Sequence, residues 1–330
     1  MLILAKSILG LMISFFISAV FGWFLIPFLR KLKCGQTISV FTAFRHAAKA
    51  GTPTIGGLIF IIPTLITILV LYLRGSLVIT HNLLIVLFVF LSYALLGFVD
   101  DYLKIKAKNN DGLSITQKVI VQVLIALIFF FIYMQGGGTT DITISALGIS
   151  IDMGWLYGLF ILFLLVGSSN AVNLTDGLDG LAGGLSLIAF ISFGIITWGS
   201  TWIEGYQEMA IFCFVLSGAI LGFLVYNTHP AKVFMGDTGS LALGATLAAI
   251  AILTKHELSL AVIGGVFVFE VLSSIIQLTA IKKFKRKVFL MAPIHHHFEK
   301  LGWAETDIVK MFWIAGFMLG MIAIYYGVWM

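Results

Sequence analysis

The carboxylates and imidazoles of this chain sit in a few short stretches, and their spacing limits what each can do. Asp100 and Asp101 are adjacent. Neighbouring side chains on a helix diverge by about 100°, so these two are not expected to share one role: one faces a site while the other pairs or is solvated. Lys104 lies one turn from Asp100, where it can hold that carboxylate ionised or meet a phosphate, although a solvated i,i+4 ion pair has the same pattern. Asp176 and Asp179 are three apart in Thr175-Asp176-Gly177-Leu178-Asp179-Gly180. On a helical turn they would share a face and invite a cation; as a glycine turn they would cap the next helix instead.

Met235-Gly236-Asp237-Thr238-Gly239-Ser240 places one carboxylate between glycines at a helix start. That suits a Mg²⁺ ligand, because the ion is usually held by one or two carboxylates plus phosphate oxygens, and free N–H groups there can receive phosphate. An N-cap aspartate is the plainer alternative. His295, His296 and His297 are consecutive, so their side chains diverge and zinc is a poor fit. Hydrogen bonds to phosphate or sugar oxygens suit them better, with Lys282, Lys283, Lys285, Arg286 and Lys287 nearby. No Gly-x-x-x-x-Gly-Lys-Ser/Thr loop occurs.

These groups are positioned by a chain that is 60% hydrophobic, 11% charged and has a mean hydropathy of +1.08. Such a composition leaves too few charges to cover a water-soluble surface, so lipid must be the solvent. Apolar runs suited to spanning lie at about 8–28, 57–73, 83–101, 119–134, 155–172, 182–199, 208–226, 239–253, 258–281 and 307–328. The eighth is short and rich in Gly and Ala, and is expected to borrow length from the Asp237-Thr238-Gly239 stretch. The reading is an all-α polytopic membrane protein, residues 1–330 forming one domain with ten transmembrane helices. The segment 135–154, with its Gly run and alternating Ile142, Ile144, Leu147 and Ile149, predicts a small β-hairpin.

Of twenty Lys and Arg, only Lys6, Arg74 and Lys255 fall at the termini or in loops after even-numbered spans, leaving seventeen on the other side. Basic loops stay in the cytoplasm. Both termini and the hairpin are therefore expected outside, and every stretch of chemical interest inside, around a cytoplasmic active-site cleft. The net charge of +5 is mostly topological, and no nucleic-acid partner is expected. Cys34 and Cys213 suggest neither a disulfide framework nor a thiolate metal site. Glu270 alone is clearly mid-span and is expected to bond to a neighbouring helix, which counts against an ion-coupled transporter with midplane carboxylates.

Taken together, Gly51-Thr52-Pro53-Thr54-Ile55-Gly56-Gly57, Asp100-Asp101-Tyr102-Leu103-Lys104, Asn173 to Gly180, Phe234 to Ser240 and Pro293 to Phe298 resemble one family over essentially the whole length. It is the phospho-N-acetylmuramoyl-pentapeptide transferases, within the polyprenyl-phosphate N-acetylhexosamine-1-phosphate transferases. The resemblance implies transfer of phospho-MurNAc-pentapeptide from UDP-MurNAc-pentapeptide to undecaprenyl phosphate with Mg²⁺, giving lipid I and UMP in a bacterial inner membrane, with a homodimer expected among membrane lipids. It implies that Asp237 binds the metal and that Asp100, Asp101 and His295 are catalytically important, with Lys104 beside them. It also implies that Lys49, Asn173, Leu174, Asp176, Gly177, Asp179, Phe234, Gln277 and His296 line the nucleoside-sugar pocket. Thr54 and His297 of the same stretches, with Asn227 at the head of the 227–240 connection, complete the candidate substrate-binding set, and Phe234 offers a flat face for the base. A sibling that transfers GlcNAc-1-phosphate would share the aspartates.

The charge asymmetry predicts that single cysteines near Gly137 react with a membrane-impermeant reagent added outside cells, while those near Lys108 or Lys285 do not. Labelling from outside at Lys285 would overturn the orientation.

Overall fold

Apolar runs in lipid fold as helices because every backbone N–H and C=O must then find its partner inside the segment. The computed structural model describes residues 2–32, 51–107, 112–144, 149–199 and 205–329. Its helices are α1 (Ile3–Lys31), α2 (Leu58–Leu73), α3 (His81–Ala107), α4 (Ile115–Gln135), α5 (Leu156–Thr175), α6 (Leu181–Gly199), α7 (Tyr206–Asn227), α8 (Gly236–Leu253), α9 (Glu257–Ile263), α10 (Gly265–Phe284), α11 (Ile294–Lys300) and α12 (Glu305–Trp329). Among the described residues, nine helices are long and apolar enough to cross a membrane, and α2, with 16 residues, is a shorter apolar helix. The chain is a multi-pass membrane protein.

One expectation changes in detail and another holds. The run at 258–281 is not one helix, because Gly264 breaks it into α9 and α10. Two consecutive glycines, Gly264 and Gly265, have low helix propensity, and a Cβ at Gly264 would lie only 2.9 Å from the Leu260 carbonyl. The eighth run does borrow length: α8 starts at Gly236, so Asp237 lies in its first turn.

α8 is the centre of the bundle, with every residue from Thr238 to Leu253 buried. Its small side chains let α3 and α5 come close. A Cβ on Gly97 of α3 would lie 2.1 Å from the Asp237 carbonyl oxygen, and one on Gly244 of α8 would lie 2.3 Å from that of Ser168 on α5. In lipid, such close packing replaces the hydrophobic drive between helices. α1 follows the same logic against α7: Ser7, Gly10, Ser14, Ser18 and Gly22 face inward while Phe16, Trp23 and Phe24 face out.

The predicted hairpin is present as β1 (Asp141–Ile144) paired antiparallel with β2 (Ile149–Asp152), Asp141 opposite Asp152 and Ile144 opposite Ile149. Leu147 lies outside the described residues. The hairpin sits at the end of the bundle opposite the carboxylates, where Lys255 follows α8. Lys255 Nζ donates to Thr139 O at 2.7 Å, Asp141 O at 3.0 Å and the Tyr157 hydroxyl at 3.2 Å, and lies 4.5 Å from the centre of the Tyr157 ring. Tyr157 in turn donates to the buried Glu257 carboxylate.

The Thr139 hydroxyl, with Lys255 as a lesser cause, holds the Asp141 carboxyl down at about 2. Because that value is depressed, the stabilisation is full above the unfolded carboxylate range near about pH 4 and is lost as pH falls toward 2.

Hydrogen bonds to charged groups contribute about 1.5–3 kcal/mol. Lys255→Met should therefore speed amide exchange through β1 by about tenfold or more while α8 stays protected; unchanged exchange in β1 would show that the hairpin is held by something else.

Candidate active site

Four helix ends meet at the opposite face: the C-terminal turns of α3 and α5 and the first turns of α4 and α8. α3 runs on to Ala107, so Asp100, Asp101 and Lys104 are all helical and the two aspartates do diverge. Asp101 points at the start of α8. Its Oδ1 accepts the Asp237 N–H at 3.1 Å, and its Oδ2 accepts the Thr238 N–H at 2.9 Å and the Thr238 hydroxyl at 2.7 Å. The carboxylate thus caps a neighbouring helix, complementing both its unpaired N–H groups and its dipole. Gly236 must lack a side chain for this, since a Cβ there would lie 2.4 Å from Asp101 Oδ2.

Asp100 points the other way. Its Oδ1 accepts the Leu113 N–H at 2.7 Å. Its Oδ2 lies 2.6 Å from Lys104 Nζ and 2.9 Å from Lys118 Nζ, and the same two ammonium groups reach Asp237 Oδ2 at 3.2 and 2.6 Å. Asn173 Nδ2 completes the cluster with bonds of 2.8 Å to Asp237 Oδ1 and to Ser240 Oγ. Asp100 is fully buried and Asp237 is largely so. Two carboxylates and two ammonium groups therefore balance in a confined space at the bundle end.

Lys118, by sequence one of the seventeen basic residues of the charge asymmetry, is central here. A signal was available: a lysine in the first turn of α4, which Ser114 and Gln117 close with a capping box, faces the unfavourable end of that helix's dipole and needs an anion. Gly112 was also missed; a Cβ there would lie 2.3 Å from Asp100 Oδ1.

The oxygens of Asp100, Asp101 and Asp237 lie within 4.8 Å of one another, a spacing that can hold a cation. All are hard donors, which suits a hard divalent ion. Hydrogen bonds to the start of α8 engage both oxygens of Asp101, whereas Asp237 Oδ2 is met by the ammonium groups of Lys104 and Lys118.

Thr54 is buried against Gly236. Its segment docks on the residues leading into α8: Phe234 N–H donates to Pro53 O, Gly56 N–H to Phe234 O and Gly57 N–H to Met235 O, at 2.8, 2.8 and 2.9 Å. Phe234 is half-buried, and Lys49 lies outside the described residues.

Asp176 and Asp179 do not sit as a cation-binding pair on one helical face, because the chain turns after α5 instead. Asp179 Oδ2 takes His229 Nδ1 and the Ala231 N–H, both at 3.0 Å, while the Asp179 N–H donates to Glu305 at 2.7 Å. Ligand atoms of Asp179, His229 and Glu305 are gathered within 4.8 Å. Asn227 ties the same loops, accepting the Gly180 N–H at 3.1 Å and donating to Val233 O at 3.0 Å. Leu174 is exposed at the end of α5.

The histidines diverge, as their succession requires. His295 is buried against Glu270, its Nδ1 3.0 Å from Glu270 Oε2; His296 Nδ1 lies 2.6 Å from Glu299; His297 Nδ1 accepts the Leu290 N–H at 3.1 Å. Gln277 ties the chain back onto α10. Its amide oxygen accepts the Val288 and Phe289 N–H groups, and its amide nitrogen donates to Phe289 O.

Asp101→Asn should lower thermal stability by about 2–4 kcal/mol, because one amide NH₂ would face backbone donors. Melting of the purified variant in detergent checks this, and a melt like the parent's would remove Asp101 from the helix-docking role.

The family model of glycosyl transferase family 4 matches residues 83–255, the span that carries α3 to α8. Among curated relatives, the phospho-N-acetylmuramoyl-pentapeptide-transferase of Geobacillus thermodenitrificans is 48% identical over 98% of both chains. That of Bacillus licheniformis is 48% identical over 99% of this chain and 98% of its own. The Bacillus subtilis relative is 48% identical over 97% of each. With its aspartates, lysines and Asn173 gathered inside the matched span, the chain belongs to the phospho-N-acetylmuramoyl-pentapeptide-transferase family.

Proposed function

We propose that this protein transfers phospho-MurNAc-pentapeptide from UDP-MurNAc-pentapeptide to undecaprenyl phosphate, releasing UMP and forming lipid I in the bacterial inner membrane. The single observation that carries this is the Asp100–Lys104–Lys118–Asp237 cluster at the end of a lipid-solvated bundle, in a chain 48% identical to transferases of that name. Both reactants are anions, and the acceptor phosphate cannot leave the bilayer surface. A site for them needs cationic groups at that depth, and Lys104 and Lys118 are such groups.

In the reaction an oxygen of the carrier phosphate forms a bond to the phosphorus that bears the sugar, and the bond from that phosphorus to UMP breaks. We favour direct attack with Asp100 as base or positioning group, since its Oδ2 already meets two cations that could orient a phosphate. Asp237 would hold Mg²⁺, which supplies charge neutralisation at the diphosphate and at departing UMP. Asn173 fixes the Asp237 carboxylate through Oδ1. Lys104 and Lys118 are then released to the substrate phosphates. In this reading Phe234 and the turn at 176–180 meet the nucleotide sugar, and His295 donates to a phosphate oxygen. The ten spans, counting the short α2, both termini outside, the cytoplasmic cleft and a homodimer complete this reading.

Purified protein incubated with UDP-MurNAc-pentapeptide, undecaprenyl phosphate and Mg²⁺ should give UMP and lipid I; activity only with UDP-GlcNAc would assign the sibling reaction. Asp237→Asn removes the charge that a hard cation requires while keeping size, so turnover should fall at least about a hundredfold with loss of Mg²⁺ affinity. Asp100→Asn should also abolish turnover but leave Mg²⁺ affinity largely intact. Metal titrations of both variants, with melting as a folding control, separate the two roles; the opposite pattern would reverse ligand and base.

A further inference from the structure

We infer that Glu270 is the positioning residue of His295, holding Nδ1 so that Nε2 is the working nitrogen presented to the substrate at the Gly177 turn. This rests on the transferase reading and deepens it.

α10 and the segment after it make an unusual return. Gln277 binds the backbone at 288–289, and α11 then comes back alongside α10 so that His295 reaches Glu270, seven residues nearer the start of α10. Both side chains are fully buried. A lone carboxylate in such a place is costly, so a paired and hydrogen-bonded arrangement is required. Glu270 Oε2 takes His295 Nδ1 at 3.0 Å, which fixes both the ring's orientation and the nitrogen that carries the proton.

The other nitrogen carries the argument further. His295 Nε2 is buried and has no hydrogen-bond partner among the described residues. It points at the Gly177 backbone, where a Cβ would come within 2.4 Å of it. A buried polar nitrogen without a partner marks a place where a ligand is missing. The Gly177 turn joins α5, whose last turn carries Asn173, to the loop held by Asp179, so a partner for Nε2 belongs on the substrate side. With Nδ1 taken by the carboxylate, Nε2 is the nitrogen left to meet an incoming polar group such as a phosphate oxygen.

The test is a double-mutant cycle on the full chain. Glu270→Gln keeps shape and a hydrogen-bond acceptor but loses the charge. It should lower kcat by about a hundredfold with KM for UDP-MurNAc-pentapeptide changed by less than about threefold. His295→Gln should lower kcat at least as far, and the double variant should be no worse than His295→Gln alone. Additive losses, or a KM effect in place of a kcat effect, would overturn the proposal. Nitrogen NMR of histidine-labelled protein, with His295→Gln to assign the signal, needs no activity. It should show Nδ1 protonated in the parent and shifted in Glu270→Gln. An unchanged His295 signal in that variant would overturn the positioning role even if the parent protein lacked transferase activity, and inactivity with an intact pair would count against the transferase reading alone.

Discussion

A carboxylate set against the start of a neighbouring helix organises this molecule. Asp101 receives the first free N–H groups of α8, and this contact joins the two helices that carry Asp100, Lys104 and Asp237. A helix start in lipid has no water to satisfy its donors, so the contact is obligatory for α8 as well as useful to the site. The small residues around it, Gly97, Gly57 and Gly236, are the space that the close approach requires. With α3 and α8 locked in this way, the adjacent Asp100 has to face the opposite direction, toward the lysines.

The same contact explains the electrostatics. Asp100 and Asp237 would repel each other in a confined site, and Lys104 and Lys118 offset that repulsion at 2.6 to 3.2 Å. Charge-assisted contacts in a low-dielectric setting are strong, yet the ammonium groups sit on flexible stems and are partly exposed. The carboxylates are therefore fixed while their counter-ions can move. That division suits a site that must accept anionic substrates without rebuilding its frame.

Much of this was legible in the sequence because lipid imposes simple rules. Apolar runs gave the helices, Gly136 and the alternating isoleucines gave the hairpin, and adjacency alone required Asp100 and Asp101 to part. What escaped was anything set by a partner far along the chain. Lys118 looked like one more basic residue until α4 was seen to start beside Asp237. Gln277 has the donors and acceptor of a ligand contact, and only the return of the chain at 288–289 shows that they are engaged. The pairing of Asp179 with His229 and Glu305, in place of Asp176, likewise joins three distant segments. The run at 258–281 kept its hydropathy across Gly264, so composition could not show the break.

α8 is pinned at both ends, by Asp101 at its first turn and by the Lys255 contacts just beyond its last. Its 18 residues make a rod of about 27 Å at the usual helical rise. A rod fastened at both ends works as a gauge. It sets the distance between Asp237 and the hairpin end of the bundle by counting residues. One inserted residue would lengthen the gauge by about 1.5 Å and turn Asp237 through about 100° relative to the far end, so its length is as much a part of the chemistry as the carboxylate it carries.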